Sequence, residues 1–140
     1  MRTFTGIAAS PGIAVGKLCV IDRRRAAISE YTIAPEAVSS EISRLHAAIS
    51  ATRDNLESLK SRLTISTGED HLFFIETHLL ILDDERLVSE TAAIIETWLI
   101  NTEAALRRTL NRYQDFFSGI DDPYLRERIS DVETVIERVL

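Results

Sequence analysis

The stretch PEAVSSEISRLHAAISATRDNLESLKSRL, residues 35–63, decides the fold. Its apolar residues fall at Val38, Ile42, Leu45, Ile49, Leu56, Leu59 and Leu63. The steps are 4, 3, 4, 7, 3 and 4, a spacing that an α-helix gathers onto one face. Arg44, Arg53, Lys60 and Arg62 lie off that face. Pro35 suits a first helical turn, where its missing N–H costs nothing. Gly68 marks the far end. A long one-sided helix must bury its stripe against other parts of the chain.

The next segment, EDHLFFIETHLLILDDERL, residues 69–87, is apolar nearly all round. Leu72, Phe73, Phe74, Ile75, Leu79, Leu80, Ile81 and Leu82 spread over well over half of a helix circumference. Such a helix is either enclosed or presents a second face to a partner. Asp83 and Asp84 then interrupt it, and either carboxylate can cap the following helix. That helix carries Leu87, Val88, Thr91, Ile94, Ile95 and Trp98. Asn101 or Thr102 opens a fourth, striped by Leu106, Leu110, Tyr113 and Phe117 and stopped at Gly119. Asp122 and Pro123 open a fifth, striped by Leu125, Ile129, Val132, Ile136 and Val139. Short connections favour antiparallel neighbours, so the expected fold is mainly α, an antiparallel helical bundle. The last stripe stops in mid-pattern at Leu140, and we expect the chain to be a piece of a longer one.

Upstream, GIAASPGIAVG, residues 6–16, holds three of the five glycines. It is not a P-loop, because Gly16-Lys17 is followed by Leu18 rather than Ser or Thr. It is not a dinucleotide fingerprint either, since Leu18-Cys19-Val20-Ile21 reads as strand where a helix is required. Ser10-Pro11-Gly12 reads as a turn between two short strands. The expected division is a β stub over 1–31 and a helical unit over 32–140. Arg23-Arg24-Arg25 in the connector reads as a solvated run.

Composition narrows the function classes. The net charge of −6 argues against nucleic acid and for a basic protein partner. The single cysteine, Cys19, makes no disulfide framework and reads as a small buried hydrophobe. No run is long enough to span a bilayer and Met1-Arg2-Thr3 opens no signal peptide, so a cytoplasmic chain without membrane insertion is expected. His46, His71 and His78 lack the tight helical spacing and third ligand of a zinc site, and no Gly-x-Ser-x-Gly elbow is present. No catalytic residue and no metal site is expected within these residues.

Charge is uneven along the second helix. Residues 69–90 contain seven acids, Glu69, Asp70, Glu76, Asp83, Asp84, Glu85 and Glu90, against one base, Arg86. Acids around surplus apolar residues match the anatomy of a docking face, with an apolar centre and a steering rim. A non-enzymatic helical adaptor for a basic protein would carry the same signature.

Three segments together, GIAASPGIAVGK, ETHLLILDDERL and DDPYLRERISDV, resemble the N-terminal part of enzyme I of the bacterial phosphoenolpyruvate-dependent phosphotransferase system. The resemblance covers essentially the whole chain. It implies a parent enzyme that takes phosphate from phosphoenolpyruvate onto its own histidine, with magnesium, and passes it to a histidine phosphocarrier protein. It implies that the opening strands belong to an α/β phosphohistidine subdomain and that the helices dock the carrier. None of the three histidines sits in the glycine-rich context of the phosphorylated residue, so these residues alone are expected to be inactive and to hold no cofactor. The implied contacts are Glu69, Asp70, Glu76, Asp84 and Glu85 as acids, with Phe73, Leu80, Ile81 and Leu87 as apolar groups. Phe117, Ile120 and Leu125 would close the groove, Arg128 matches an arginine of the last motif, and His78 would support phosphoryl transfer nearby. Arg86 and His71 depart from the family's pattern. The parent is expected to dimerise through its other half, and this piece to be monomeric.

Overall fold

The computed structural model describes residues 7, 13, 15–17, 28–63 and 69–140, with backbone alone at 69–71 and 123–127. Five α-helices account for nearly all of it. They are α1 (Val38–Leu63), α2 (Glu69–Leu82), α3 (Glu85–Trp98), α4 (Thr102–Ser118) and α5 (Pro123–Val139). The helical bundle expected from the stripes is the observed architecture. The opening strands expected before residue 31 lie, apart from isolated positions, outside the described residues.

α1 follows a short 3-10 turn, Pro35–Ala37, that carries Pro35 at its first position. It packs on both α2 and α3, α4 packs on α3 and α5, and α5 closes the bundle against α2. The main core takes Leu45, Ile49 and Leu56 from α1, Ile75 and Leu82 from α2, and Leu87 from α3. α4 adds Leu106 and Leu110, and α5 adds Val135, Ile136 and Val139. Stripe residues of α1, α4 and α5 meet apolar residues of α2 and α3, with Val135 added from beside the α5 stripe, which is how a bundle buries apolar area that no single helix can bury alone. Leu59 is the stripe residue that the packing leaves at the edge.

A second, smaller core gathers Ile33, Ile94, Ile95, Ile100, Ala104 and Ala105 around the α3–α4 connection. Here the segment before α1 returns to the bundle. Thr32 and Ile100 form an antiparallel bridge, and the Ile33 N–H donates to the Leu99 carbonyl at 2.8 Å. Leu99 itself ends α3 in the left-handed region, φ 49° and ψ 51°. That conformation is costly for a leucine. Packing of its half-buried side chain on the second core and the Leu99 N–H bond to the Ile95 carbonyl at 2.9 Å hold it there.

Helix starts are capped in two different ways. Asp84 is the cap of α3: its carboxylate accepts the Arg86 N–H at 2.9 Å. Asn101 occupies the cap position of α4 but makes no cap bond. Its side chain reaches back instead, accepting the Tyr31 N–H at 3.1 Å and donating to the Ser29 carbonyl at 3.1 Å. The first turn of α4 is satisfied from another helix. The Glu41 carboxylate of α1 accepts the Thr102 N–H and the Thr102 hydroxyl, both at 2.8 Å.

Candidate functional site

Of the apolar residues that wrap α2, Ile75 and Leu82 are buried, while Phe73, Phe74 and Leu80 stand 56%, 57% and 71% exposed. The helix therefore has one face in the core and a second that nothing among the described residues covers. Phe73 and Leu80 are two helical turns apart and share that outer face. Phe73 and Phe74 meet edge to face, with ring centroids 6.3 Å apart. α4 contributes a similar pair at its last turn, Phe116 and Phe117, with centroids 5.6 Å apart. Phe116 is 68% exposed and Phe117 half-buried.

Beside the Leu80 face lies a groove where four helices converge. A cavity of about 230 Å³ is lined by Thr77, Leu80 and Ile81 of α2, Asp84 at the bend, Leu87 of α3, Tyr113 of α4 and Val132 of α5. Leu87 is 2% exposed, so it forms the floor and is not a free contact. Ile81 is half-buried against the core and forms a wall. Leu80 is the apolar side chain that a docked molecule would meet at the lip. The cavity can hold a large apolar side chain, and its polar margin is the Asp84 carboxylate, the Thr77 hydroxyl and the Tyr113 phenol.

Tertiary structure rearranges the acidic rim. Glu76 pairs with Lys60 of α1 at 2.8 Å. Asp83 pairs with Arg53, also of α1. Both acids thus sit on the α1–α2 seam, partly neutralised. Asp84 and Glu85 are exposed at the bend, and Glu90 lies further along α3. Burial first, then the Glu90 and Asp84 carboxylates, pushes the Tyr113 phenol up to about 12, with Arg112 and Arg86 opposing. Tyr113 therefore stays protonated.

His78 is half-buried on the α5 side of α2. Burial and the Arg138 guanidinium hold its pKa below the ordinary value, against the pull of Asp131. It is a neutral imidazole at the seam between α2 and α5. Arg128 pairs with Asp131 at 3.3 Å on that same seam. Ile120, in the α4–α5 connection, is half-buried. Glu69 and Asp70 lie in the first turn of α2 and Leu125 in the first turn of α5; their side chains, like that of His71, are outside the described residues.

The structure thus brings Leu80, Ile81, Asp84 and Leu87 to one groove, with Phe117 one turn beyond Tyr113 on α4. It places Glu76 one turn before Leu80 and paired with Lys60 of α1, and Arg128 and His78 on the α5 seam. Thr77, Tyr113 and Val132 complete the lining, and sequence reasoning did not select them as site residues. Tyr113 and Val132 were visible as stripe residues, but no periodicity says which stripe member reaches a mouth rather than the core. Among the described residues no group of three or more His, Cys, Asp or Glu side chains is arranged to hold a metal ion. No helix among them is long and apolar enough to cross a membrane.

Comparison with known proteins places this bundle. The phosphoenolpyruvate-protein phosphotransferase of Geobacillus stearothermophilus is 36% identical over 139 residues, 99% of this chain and 24% of that protein. The enzyme of the same name from Cupriavidus necator is 36% identical over 135 residues, 96% of this chain and 23% of its own length. The chain therefore spans about a quarter of the length of these curated relatives. Two solved structures share the fold. An Enzyme I protein determined in solution by NMR superposes with a TM-score of 0.75 at 24% identity, covering 81% of this chain and 46% of that one. A structure described as the N-terminal domain of Enzyme 1 - Nitrogen superposes at 0.71 with 18% identity and the same coverage. The family model of the N-terminal region of PEP-utilising enzymes matches residues 5–128, and with the 36% relatives this settles the kinship: the chain belongs to the PEP-utilising enzyme N-terminal family.

Proposed function

We propose that the chain is the carrier-docking part of a phosphoenolpyruvate-protein phosphotransferase, and that its partner is a histidine phosphocarrier protein. The observation that carries this reading is the exposed Leu80 at the lip of an apolar groove floored by Leu87. A phosphocarrier must bind, react and leave, so a modest apolar centre with charged surroundings suits it better than a large dry interface. Filling the groove removes apolar area from water at about 25 cal/mol per Å². Each exposed rim pair contributes only about 0–1 kcal/mol. The apolar centre supplies the affinity and the charges govern encounter rate and register.

Phosphoryl transfer is assigned to the parent enzyme, through a histidine that is none of His46, His71 and His78. Magnesium belongs to the parent's reaction with phosphoenolpyruvate; among the described residues no group of acids and histidines is arranged to hold it. The test is an NMR titration with the histidine phosphocarrier protein of the same organism, at low and at moderate salt. Shifts clustered at 69–87 and 117–128, weakening as salt rises, are the expected result. No shifts at any salt would sink the docking reading.

A further inference from the structure

The groove carries one carboxylate in its lining, and that carboxylate has no cation. The apolar lining is Leu80, Ile81, Leu87 and Val132, and the polar lining is Thr77, Asp84 and Tyr113. The Thr77 hydroxyl is engaged, donating to the Phe73 carbonyl at 3.0 Å. One Asp84 oxygen accepts the Arg86 N–H at 2.9 Å, and among the described residues the carboxylate makes no ion pair. The Tyr113 hydroxyl makes no hydrogen bond among them. No buried side-chain polar atom among them lacks a partner, so the phenol oxygen is open to solvent. Other charges of this region stand apart from the cavity. Glu76 and Asp83 are held by Lys60 and Arg53. Glu85, Glu90, Arg86 and Arg112 do not line it.

This lining restricts what can fill the cavity. A purely apolar side chain would cover Asp84 and Tyr113 and leave a carboxylate with neither water nor a partner, which is costly. An acidic side chain would meet Asp84 as like charge. A short polar one would leave the Leu87 floor and the Val132 wall in water. Lysine and arginine combine a long apolar stem with a cationic head of N–H donors, and they lay the stem on apolar surface while the head turns to a polar edge. Resting on the docking reading above, we propose that the groove is a subsite for one lysine or arginine of the partner, with its stem on Leu80, Ile81, Leu87 and Val132 and its cation between the Asp84 carboxylate and the Tyr113 hydroxyl. Asp84 and Tyr113 are then the residues that select the partner by contact, whereas Glu85 and Glu90 attract it only at a distance. Burial first, then the neighbouring carboxylates, keeps the Tyr113 phenol protonated, so it stays a neutral acceptor for the incoming N–H near neutral pH.

Two acids of the same region, one in the lining and one outside it, test this. The chain is titrated calorimetrically with the histidine phosphocarrier protein of the same organism, as wild type, D84N, E90Q and Y113F, at moderate salt. Asparagine caps a helix about as well as aspartate, so D84N removes the charge and keeps the start of α3; circular dichroism checks this. D84N is expected to weaken binding roughly five-fold or more, because it breaks a charged hydrogen bond. E90Q, which removes an equal charge outside the lining, is expected to weaken it less than about two-fold. Y113F is expected to weaken it about two-fold or more. Each lysine and arginine of the carrier is then replaced in turn by methionine, which keeps an unbranched stem and deletes the cation. One such replacement should weaken binding to the wild-type chain and leave binding to D84N nearly unchanged. Equal losses for D84N and E90Q, unchanged binding by Y113F, or no carrier replacement whose effect depends on Asp84 each overturn the proposal while leaving the docking reading intact. No binding by the wild-type chain overturns the docking reading, and this inference with it.

Discussion

The Glu41 carboxylate on α1 accepts the backbone N–H of Thr102 at the start of α4, at 2.8 Å, from 61 residues away. The same oxygen accepts the Thr102 hydroxyl at 2.8 Å, and the Thr102 hydroxyl also reaches the Glu41 carbonyl at 2.8 Å. Glu41 is 8% exposed, and Arg44 grips both its oxygens at 2.7 and 2.8 Å. One side chain thus caps one helix from another. Replacing Glu41 by Ala strands the Thr102 N–H and leaves the Arg44 guanidinium with Glu103 alone, and we expect a loss of about 2 kcal/mol of stability. Denaturant unfolding followed by circular dichroism reads it; a loss indistinguishable from that of an exposed Ser→Ala control would show the cap to be idle.

The same group predicts acid sensitivity. Burial raises the Glu41 pKa, but the Thr102 N–H, the Arg44 guanidinium and the Thr102 hydroxyl outweigh it and hold it below 4.5. Glu103 is likewise net depressed: burial pushes up, and its own N–H, Asn101 and Arg44 win. The unfolded chain then binds protons that the folded chain refuses, so their stabilisation is complete above about pH 4.5 and is lost as pH falls through the lowered values. His78, held below 6.5, acts earlier: the unfolded imidazole takes a proton first, so stability declines as pH drops below 6.5. Melting temperature should fall in these two stages between about pH 7 and about pH 3, and H78Q should erase the upper one. A flat profile over the upper stage in the wild type would contradict the assignment.

Thr91 and Thr109 put two hydroxyls 3.0 Å apart, both wholly buried between α3 and α4. Thr91 also donates toward the Leu87 carbonyl at 2.7 Å. Thr91→Val breaks the hydroxyl pair, although Thr109 still donates to the Ala105 carbonyl at 3.1 Å, and should cost about 1 kcal/mol. Replacing both should cost clearly less than the sum of the single changes, because the pair is then absent rather than broken. Additive losses in a double-mutant cycle would mean that the two hydroxyls do not act together.

Leu80 and Leu87 separate binding from folding. Leu80→Ala removes an exposed side chain at the lip, and we expect weaker carrier binding with stability nearly unchanged. Leu87→Ala empties the floor and should cost about 3 kcal/mol of stability. Glu76→Gln, already paired with Lys60, should weaken carrier binding less than Leu80→Ala does. Equal losses of affinity for Leu80→Ala and Glu76→Gln in a calorimetric titration would count against an apolar centre.

What the sequence determined by itself was everything governed by neighbours a turn or so apart. The stripes of α1, α4 and α5, the Asp84 cap, the Pro35 and Pro123 starts and the stop at Gly119 are local, because a helix places residues three and four apart on one face whatever surrounds it. Only the tertiary structure decided the rest. Asn101 stands at the cap position the sequence marks, yet the cap bond comes from Glu41, which no spacing connects to Thr102. The acids of α2 read as one rim until packing handed Glu76 and Asp83 to Lys60 and Arg53 of α1. Leu87 and Leu80 look alike in the sequence, and one is floor and the other lip. Each of these outcomes depends on which helix faces which. That is set by the sum of many buried contacts across the whole bundle, and a distribution of charge along the chain becomes a distribution in space only once those contacts have formed.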